Sequence, residues 1–371
     1  VTSRSILGWG DPQQHLFDSV LGSLFDHLPD SPANPALIPA RVASVHRGAL
    51  TVLGALPDPL VPILVPHRHG GGLETPAVGD WALLRAMSGT WVTDGLLPRT
   101  SLFVRKVAGR GSAAQPVAAN VDRVLVVTAA GDDLSPGRIE RYVTAIHAGG
   151  ATPVIVVNKS DRAHDADAAL RAVRSAAPET EVVAASALTE GGLDALLGLV
   201  PPPMTVALVG SSGVGKTTIL NRLLGGGERA TTEVRSADDK GRHTTTRREL
   251  CVTPSGLLVI DTPGVRELGL VDAADGLSAA FPDIVELASS CRFHDCAHAH
   301  EPGCAVRVAI EQGSLPAARV ERYERLVREI AHHDARADEH RGRANKERWK
   351  AIHKGQRQRL KVEKKLGLKG W

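Results

Sequence analysis

Several shortages narrow what this chain can be. Four cysteines in 371 residues are too few for a disulfide scaffold. No run of about eighteen apolar residues offers a membrane span. Val1 to Gly10 lack the charged start and apolar segment of a secretory signal. Val1 stands where an initiator Met would be, and is read as other than the native start. No internal repeat is found. The expectation is a soluble, cytoplasmic chain that uses no membrane and is long enough for two or three domains, each burying its own core.

Net charge is small in total and uneven in place. The net charge is +3, but the stretch from Arg341 to Trp371 holds twelve Lys/Arg against two Glu. The body is therefore mildly acidic and the tail strongly basic, with Trp349 in its midst. Basic residues with an occasional aromatic suit phosphate contacts and base stacking on RNA, although a solvated helix face has the same composition.

The texture changes along the chain. Residues 1–35, with Pro29, Pro32 and Pro35, read as a short arm and linker. Residues 36–112 carry five short β-rich runs (Ala40 to His46, Ala49 to Leu53, Val61 to Val65, Trp81 to Met87, Trp91 to Leu96) separated by Gly and Pro. That spacing predicts a small barrel of the OB type, with a sandwich as the alternative. Gly109 to Gln115 reads as a linker. Residues 113–272 alternate strand and helix, which predicts a parallel, doubly wound α/β sheet. Residues 273–371 are helical around a Cys/His segment, with helices expected over Leu315 to Glu339 and Ala344 to Lys365. The fold class expected is multidomain α/β.

The sharpest motif is Gly210, Ser211, Ser212, Gly213, Val214, Gly215, Lys216, Thr217 and Thr218, a G-x-x-x-x-G-K-[ST] match between an apolar strand and a helix. Its glycines let backbone N–H groups wrap phosphates, Lys216 reaches the β/γ oxygens and Thr217 holds Mg2+. Downstream, an apolar strand ends in Asp261, Thr262, Pro263 and Gly264. The acid suits Mg2+ held through water, and the Gly264 N–H suits sensing of a γ-phosphate. Alone, that tetrapeptide is an ordinary turn.

Asn158, Lys159, Ser160 and Asp161 close another strand, at the carboxyl end of the sheet where ligands bind. A carboxylate there accepts both the N1–H and N2 amino protons of guanine, so Asp161 selects that base. The Ser186 and Ala187 pair after the next strand suits a backbone N–H to guanine O6. Singly these are commonplace loops, but their order is informative. Base readers precede phosphate readers, the reverse of the usual GTPase, so the motifs are circularly permuted.

The segment between Thr218 and Asp261, with Arg242, His243, Thr244, Thr245 and Thr246, then becomes a switch loop whose threonines are candidates for a second Mg2+ contact. Val265 follows Gly264 where many GTPases place a water-positioning Gln. Either His243 fills that role or a partner completes the site, and both expect slow turnover in isolation. Gly213 leaves the loop without a side chain for potassium.

Cys291, Cys296 and Cys304 supply three thiolates, and His298 an imidazole, for a tetrahedral structural zinc; on spacing alone His294 and His300 are alternatives. Cys251 is left over as an expected core residue.

Taken together with Val78 to Trp81, Leu97 to Ser101, Ala118 to Asp122, Arg138 to Arg141 and Arg242 to Thr246, these motifs resemble the RsgA (YjeQ) family of ribosome small subunit-dependent, circularly permuted GTPases. The resemblance runs from about Ala36 to the C-terminus. It implies an N-terminal OB barrel, a central GTPase and a C-terminal helical zinc domain. It also implies GTP and GDP as ligands, late maturation of the small (30S) ribosomal subunit with turnover stimulated by that subunit, and rRNA contact through barrel, zinc domain and tail. It selects Cys291, Cys296, His298 and Cys304 as zinc ligands and places the family's proposed hydrolysis-assisting histidine on His243. A monomer is expected. A GTP-gated rRNA-binding checkpoint with little turnover is the alternative.

Overall fold

The structure is a computed structural model describing residues 4–25, 37–67, 74–106, 114–131, 134–162, 166–225, 248–261, 270, 273–293 and 295–332. His243, Thr245, Gly264, His294 and the basic tail lie outside the described residues, as does the helix expected over Ala344 to Lys365.

The N-terminal segment differs from the expected linker. A 3-10 turn, Ser5–Leu7, precedes α1 (Asp11–Phe25), and Leu7 and Trp9 are buried. Trp9 meets Trp81 and Phe17 edge-on, with ring centroids 4.7 and 5.9 Å apart. The prolines after residue 25 dominate the sequence pattern here, whereas the large aromatic areas of Trp9 and Phe17 favour docking of the preceding turn.

Five strands follow: β1 (Ile38–His46), β2 (Ala49–Leu53), β3 (Ile63–Pro66), β4 (Trp81–Met87) and β5 (Thr90–Leu96). They pair antiparallel in the order β3-β2-β1-β4-β5. Ser88 and Gly89, both at positive φ, make the tight two-residue link that matches strand twist between β4 and β5. Alternate residues Ala40, Val42, Leu50, Val52, Val65, Ala82 and Leu84 bury one face as a separate core. The sheet's outer strands also meet, the Thr93 hydroxyl of β5 donating to Pro66 O of β3 at 3.3 Å.

A hairpin not foreseen in the sequence, β6 (Leu102–Lys106) with β7 (Ala114–Ala119), occupies part of the expected linker. The second sheet is built from β8 (Arg123–Ala129), α2 (Pro136–Ala148), β9 (Thr152–Asn158), α3 (Ala166–Ala176), β10 (Glu181–Ala184), α4 (Asp194–Leu199), β11 (Thr205–Val209), α5 (Lys216–Leu223), β12 (Glu249–Val252) and β13 (Leu258–Asp261). Its order is β10-β9-β8-β11-β13-β12. The first five are parallel, but β12 runs antiparallel at the edge. The sheet is thus mixed rather than wholly parallel, because a short β12–β13 return needs no crossover helix. Cys251, expected in the core, is only half-buried on this edge strand.

Both faces of the sheet are covered, as period-2 alternation demands. Val124, Val126, Ile155, Val157, Ala207 and Val209 face the side of α2. Leu125, Val127, Val154, Val156, Val206 and Leu208 face the side of α4 and α5.

The chain then turns helical with α6 (Ala274–Ala280), α7 (Pro282–Ser289), α8 (Ala305–Glu311) and α9, helical over 317–332. Gly276 lets α6 close on α2, since a Cβ there would lie 2.2 Å from Thr144 O. Buried Arg319 of α9 donates to Glu140 of α2, to both carboxylate oxygens of Asp283 in α7, and to Ala176 O and Ala280 O. Arg322 adds a bidentate pair to Glu140. Among the described residues no helix is long and apolar enough to cross a membrane.

Three of the short motifs from the sequence form the seam between the two sheets. Buried Asp80 accepts from Arg99 Nε at 2.7 Å and from Ala77 N at 2.7 Å. The Asn120 side chain donates to Gly79 O and accepts from Thr100 N. Arg41, also buried, donates to Asn120 O at 2.8 Å and Thr205 Oγ1 at 3.1 Å. Burial pulls its guanidinium down to about 10 against the opposing charges of Asp122 and Asp80. The seam therefore grips β8 and β11 at the ends opposite their loops.

Candidate functional site

β8 and β11 are neighbours, and the chain leaves them for opposite sides of the sheet, which creates the crevice where doubly wound folds bind ligands. The loop from Gly210 to Gly215 crosses that crevice. Gly210 (φ +140°) packs on β8, where a Cβ would lie 2.1 Å from Val127 O. Gly215 (φ +101°) packs on Asn158, whose Nδ2 would be 2.2 Å from a Cβ. Only glycine fits either place. Val214 is buried beneath the loop, while Ser212, Gly213, Thr217 and Thr218 are exposed at its rim and at the start of α5. Lys216 Nζ donates to Gly210 O at 2.8 Å and also to Ser211 O.

The segments that the sequence separates come together here. Buried Asn158, at the end of β9, donates from Nδ2 to Val214 O at 2.8 Å and accepts at Oδ1 from Ala187 N at 3.3 Å. Lys159, at φ +61°, donates from Nζ to Gly213 O at 2.8 Å. The Ser186 hydroxyl donates to Asp161 Oδ1 at 2.6 Å, which orients the carboxylate. Beside it lies an open depression of about 330 Å3 bordered by Ser160, Asp161, Ser186, Thr189 and Gly192. Asp261 ends β13, two strands from β8.

One contact escaped the sequence analysis. Arg138, in the first turn of α2, donates to the Ser211 hydroxyl. The available signal was position: α2 follows β8, the strand on which Gly210 rests.

A second cluster lies between α7 and α8. The donor atoms of Cys291, Cys296, His298 and Cys304 are all within 4.8 Å of one another. Cys291 Sγ is 3.9 Å from Cys304 Sγ, and His298 Nδ1 is 3.6 and 3.5 Å from those two sulfurs. A tetrahedral ion with bonds of about 2.3 Å to sulfur and about 2.0 Å to nitrogen spaces its ligands by about 3.8 and about 3.5 Å. The donor set therefore fits a metal ion. His300 is exposed and outside the group.

Desolvation, reinforced by the Cys304 and Cys291 sulfurs, pushes the Cys296 thiol up to about 11. At Cys291 desolvation is outweighed by N–H groups of Val306 and Ala305, and the thiol sits below its ordinary value.

Glu301 was also missed from the sequence. Its carboxylate accepts the N–H groups of Ala297, Ala299 and His300 at 3.1, 2.9 and 3.0 Å, and so holds the turn on which His298 sits.

Known proteins share this arrangement. A sequence profile for "RsgA GTPase" matches residues 96–271. The chain is 43% identical over 345 residues to the small ribosomal subunit biogenesis GTPase RsgA of Opitutus terrae, covering 89% of this chain and 94% of that one. It is 40% identical over 316 residues to the protein of the same name from Streptomyces coelicolor, covering 82% and 85%. Among solved structures it resembles YloQ, described as a circularly permuted GTPase, with a TM-score of 0.59 and 25% identity over 82% of this chain and 98% of that one. It also resembles YjeQ from Thermotoga maritima, with a TM-score of 0.60 and 25% identity over 80% and 99%. With relatives this similar along most of its length, and with a permuted GTPase fold, the chain belongs to the RsgA GTPase family.

Proposed function

We propose that this chain hydrolyses GTP during late maturation of the small ribosomal subunit, that the subunit stimulates its turnover, and that it works as a cytoplasmic monomer. The observation that carries the GTP reading is Asn158, whose one amide joins the base-reading loop at Ala187 to the phosphate loop at Val214. The names of the relatives carry the ribosomal reading and favour turnover over a passive checkpoint.

In this reading the N–H groups of residues 211–218 wrap the phosphates, and Lys216 leaves the loop carbonyls for the β/γ oxygens. Thr217 and Asp261 hold Mg2+, which when bound offsets phosphate charge. Asp161, held by Ser186, accepts the guanine N1–H and N2 protons, and the Ala187 N–H, which donates to Asn158 Oδ1, is shared with O6 once guanine is bound. Thr245 supplies a second Mg2+ contact, the Gly264 N–H senses the γ-phosphate and His243 positions the attacking water.

The domains proposed are 36–112, 113–272 and 273–371, with residues 1–35 as an arm that docks through Leu7 and Trp9 and with the β6–β7 hairpin bridging the first two. The strand order β3-β2-β1-β4-β5 together with the Thr93 to Pro66 contact supports an OB-type barrel for the first. The donor spacing supports one structural zinc in the last, held by Cys291, Cys296, His298 and Cys304. The barrel, the zinc domain and the basic tail are proposed to contact rRNA.

GTP and ATP hydrolysis by the pure protein, with and without small subunits, tests the function. Strong GTP-only stimulation is expected, and Lys216→Ala should lose it by at least about a hundredfold, since it removes the cation at the developing charge. Equal use of ATP would overturn the guanine assignment; no response to the subunit would overturn the ribosomal one.

For the metal, one zinc per chain is expected by elemental analysis. Glu301→Ala should weaken zinc retention against a chelator by about 10–100-fold, as loss of an outer support does. Unchanged retention would mean that the turn holds itself.

A further inference from the structure

The Ser211 limb of the phosphate loop is approached by two cations from opposite sides. Lys216 reaches it from α5, donating to Gly210 O and Ser211 O, and Arg138 reaches it from α2, donating to the Ser211 hydroxyl. The lysine of such a loop serves the β- and γ-phosphates. The Gly210–Ser211 limb that its ammonium touches is therefore within one lysine side chain's reach of the terminal phosphate, while the N–H groups that follow cradle the phosphates behind it. Arg138 shares a narrow crevice with Ser135, Thr128, Gly210 and Ser211, so its charge is directed at that same limb.

Resting on the GTP reading above, we propose that Arg138 is a positioning residue for the terminal phosphate. It holds the Ser211 limb in place from α2 and supplies a guanidinium within the same chain at the edge where the γ-phosphate lies. Phosphoryl transfer is promoted by an arginine that neutralises charge on the transferring group, supplied by the chain itself or by a partner. The chain has Val265 and Gly213 where a water-positioning amide or a potassium-binding side chain would otherwise stand, which leaves more of the work to positive charge. An arginine also suits the task better than a lysine, because its guanidinium is always charged and its planar fork matches the geometry of a phosphate.

Arg138 also stands two residues before Glu140, the carboxylate gripped by Arg319 and Arg322 of α9. A shift of the first turn of α2 on loss of the terminal phosphate would therefore be felt by the C-terminal helices.

The test compares binding of GDP and of a non-hydrolysable GTP analogue to the full chain, and kcat against KM for GTP, in the parent protein, Arg138→Ala, Arg138→Lys and Lys216→Ala. Arg138→Ala should lose about tenfold or more in affinity for the analogue while GDP changes less than about twofold, with kcat reduced. Arg138→Lys should recover part of the affinity and less of kcat. Equal losses for both nucleotides would assign Arg138 a purely structural role and overturn the proposal, as would no loss at all. Failure of the parent protein to bind GTP, or indifference to Lys216→Ala, would sink the GTP reading itself, which is a different result from a neutral Arg138→Ala. Thermal unfolding of each variant separates misfolding from a local effect, and Arg138→Lys remains informative if Arg138→Ala does not fold.

Discussion

Asp161→Asn is expected to exchange guanine for xanthine as the preferred base. In the proposed reading the carboxylate accepts two protons from guanine, and a charge-assisted hydrogen bond is worth about 1.5–3 kcal/mol. Losing the N2 contact to an opposed amide NH2, and reducing the N1–H bond to a neutral one, should weaken GTP by about 10²–10⁴-fold. The Ser186 hydroxyl, now 2.6 Å from Asp161 Oδ1, can still donate to the amide oxygen of Asn. That leaves the amide NH2 aimed outward, where it meets the second carbonyl of xanthine instead of repelling it. Hydrolysis of XTP should rise as that of GTP falls, with kcat near the parent value because the phosphate loop is untouched. If both nucleotides are lost together, or GTP survives, Asp161 is not the base reader.

Arg319→Met should cause the largest loss of stability of any single substitution considered. The guanidinium is 2% exposed and Glu140 is fully buried, so both are shielded from water that might replace their contacts. Removing one member of a buried, hydrogen-bonded charge set costs about 3–5 kcal/mol, chiefly because the others are left uncompensated. Here Asp283, Ala176 O and Ala280 O lose their donor, and the ring of Phe281 loses the guanidinium stacked 4.6 Å from its centroid. The exposed Arg85–Asp94 pair provides the contrast, since breaking it should cost less than about 1 kcal/mol. Thermal or urea unfolding of both variants gives the comparison. Equal losses would show that the α2, α7 and α9 junction is held by apolar packing alone.

Function was more legible in this sequence than architecture. The phosphate loop, the Asn158 to Asp161 stretch and the Cys/His cluster announce themselves because their chemistry demands particular residues at short, fixed spacing. β8, β9 and β11 were legible within a few residues as apolar, largely β-branched runs of a sheet covered on both faces, and β1, β2 and β4 as short runs set off by Gly and Pro. The missed elements are short or borderline. α4 has six residues, β12 has four, and the five- and six-residue strands β6 and β7 flank the Gly- and Ser-containing stretch read as a linker, β7 starting inside it. The docked N-terminal turn was obscured because Leu7 and Trp9 gain their stabilisation from residues far along the chain, which no local pattern reports.

Composition and motif alone indicated the kind of chemistry: a phosphate-loop motif, a carboxylate suited to reading guanine, a permuted motif order and a Cys/His set suited to a metal. The tertiary structure decided which of those residues meet. It placed Asn158 between Val214 and Ala187, chose His298 over His300 within the thiol cluster, gave Glu301 the turn beneath it, and brought Arg138 onto Ser211. Residue type fixes what a side chain can do. Contacts between residues tens of positions apart depend on how strands β8, β9 and β11 are ordered in the sheet, and that order is a property of the whole chain's packing.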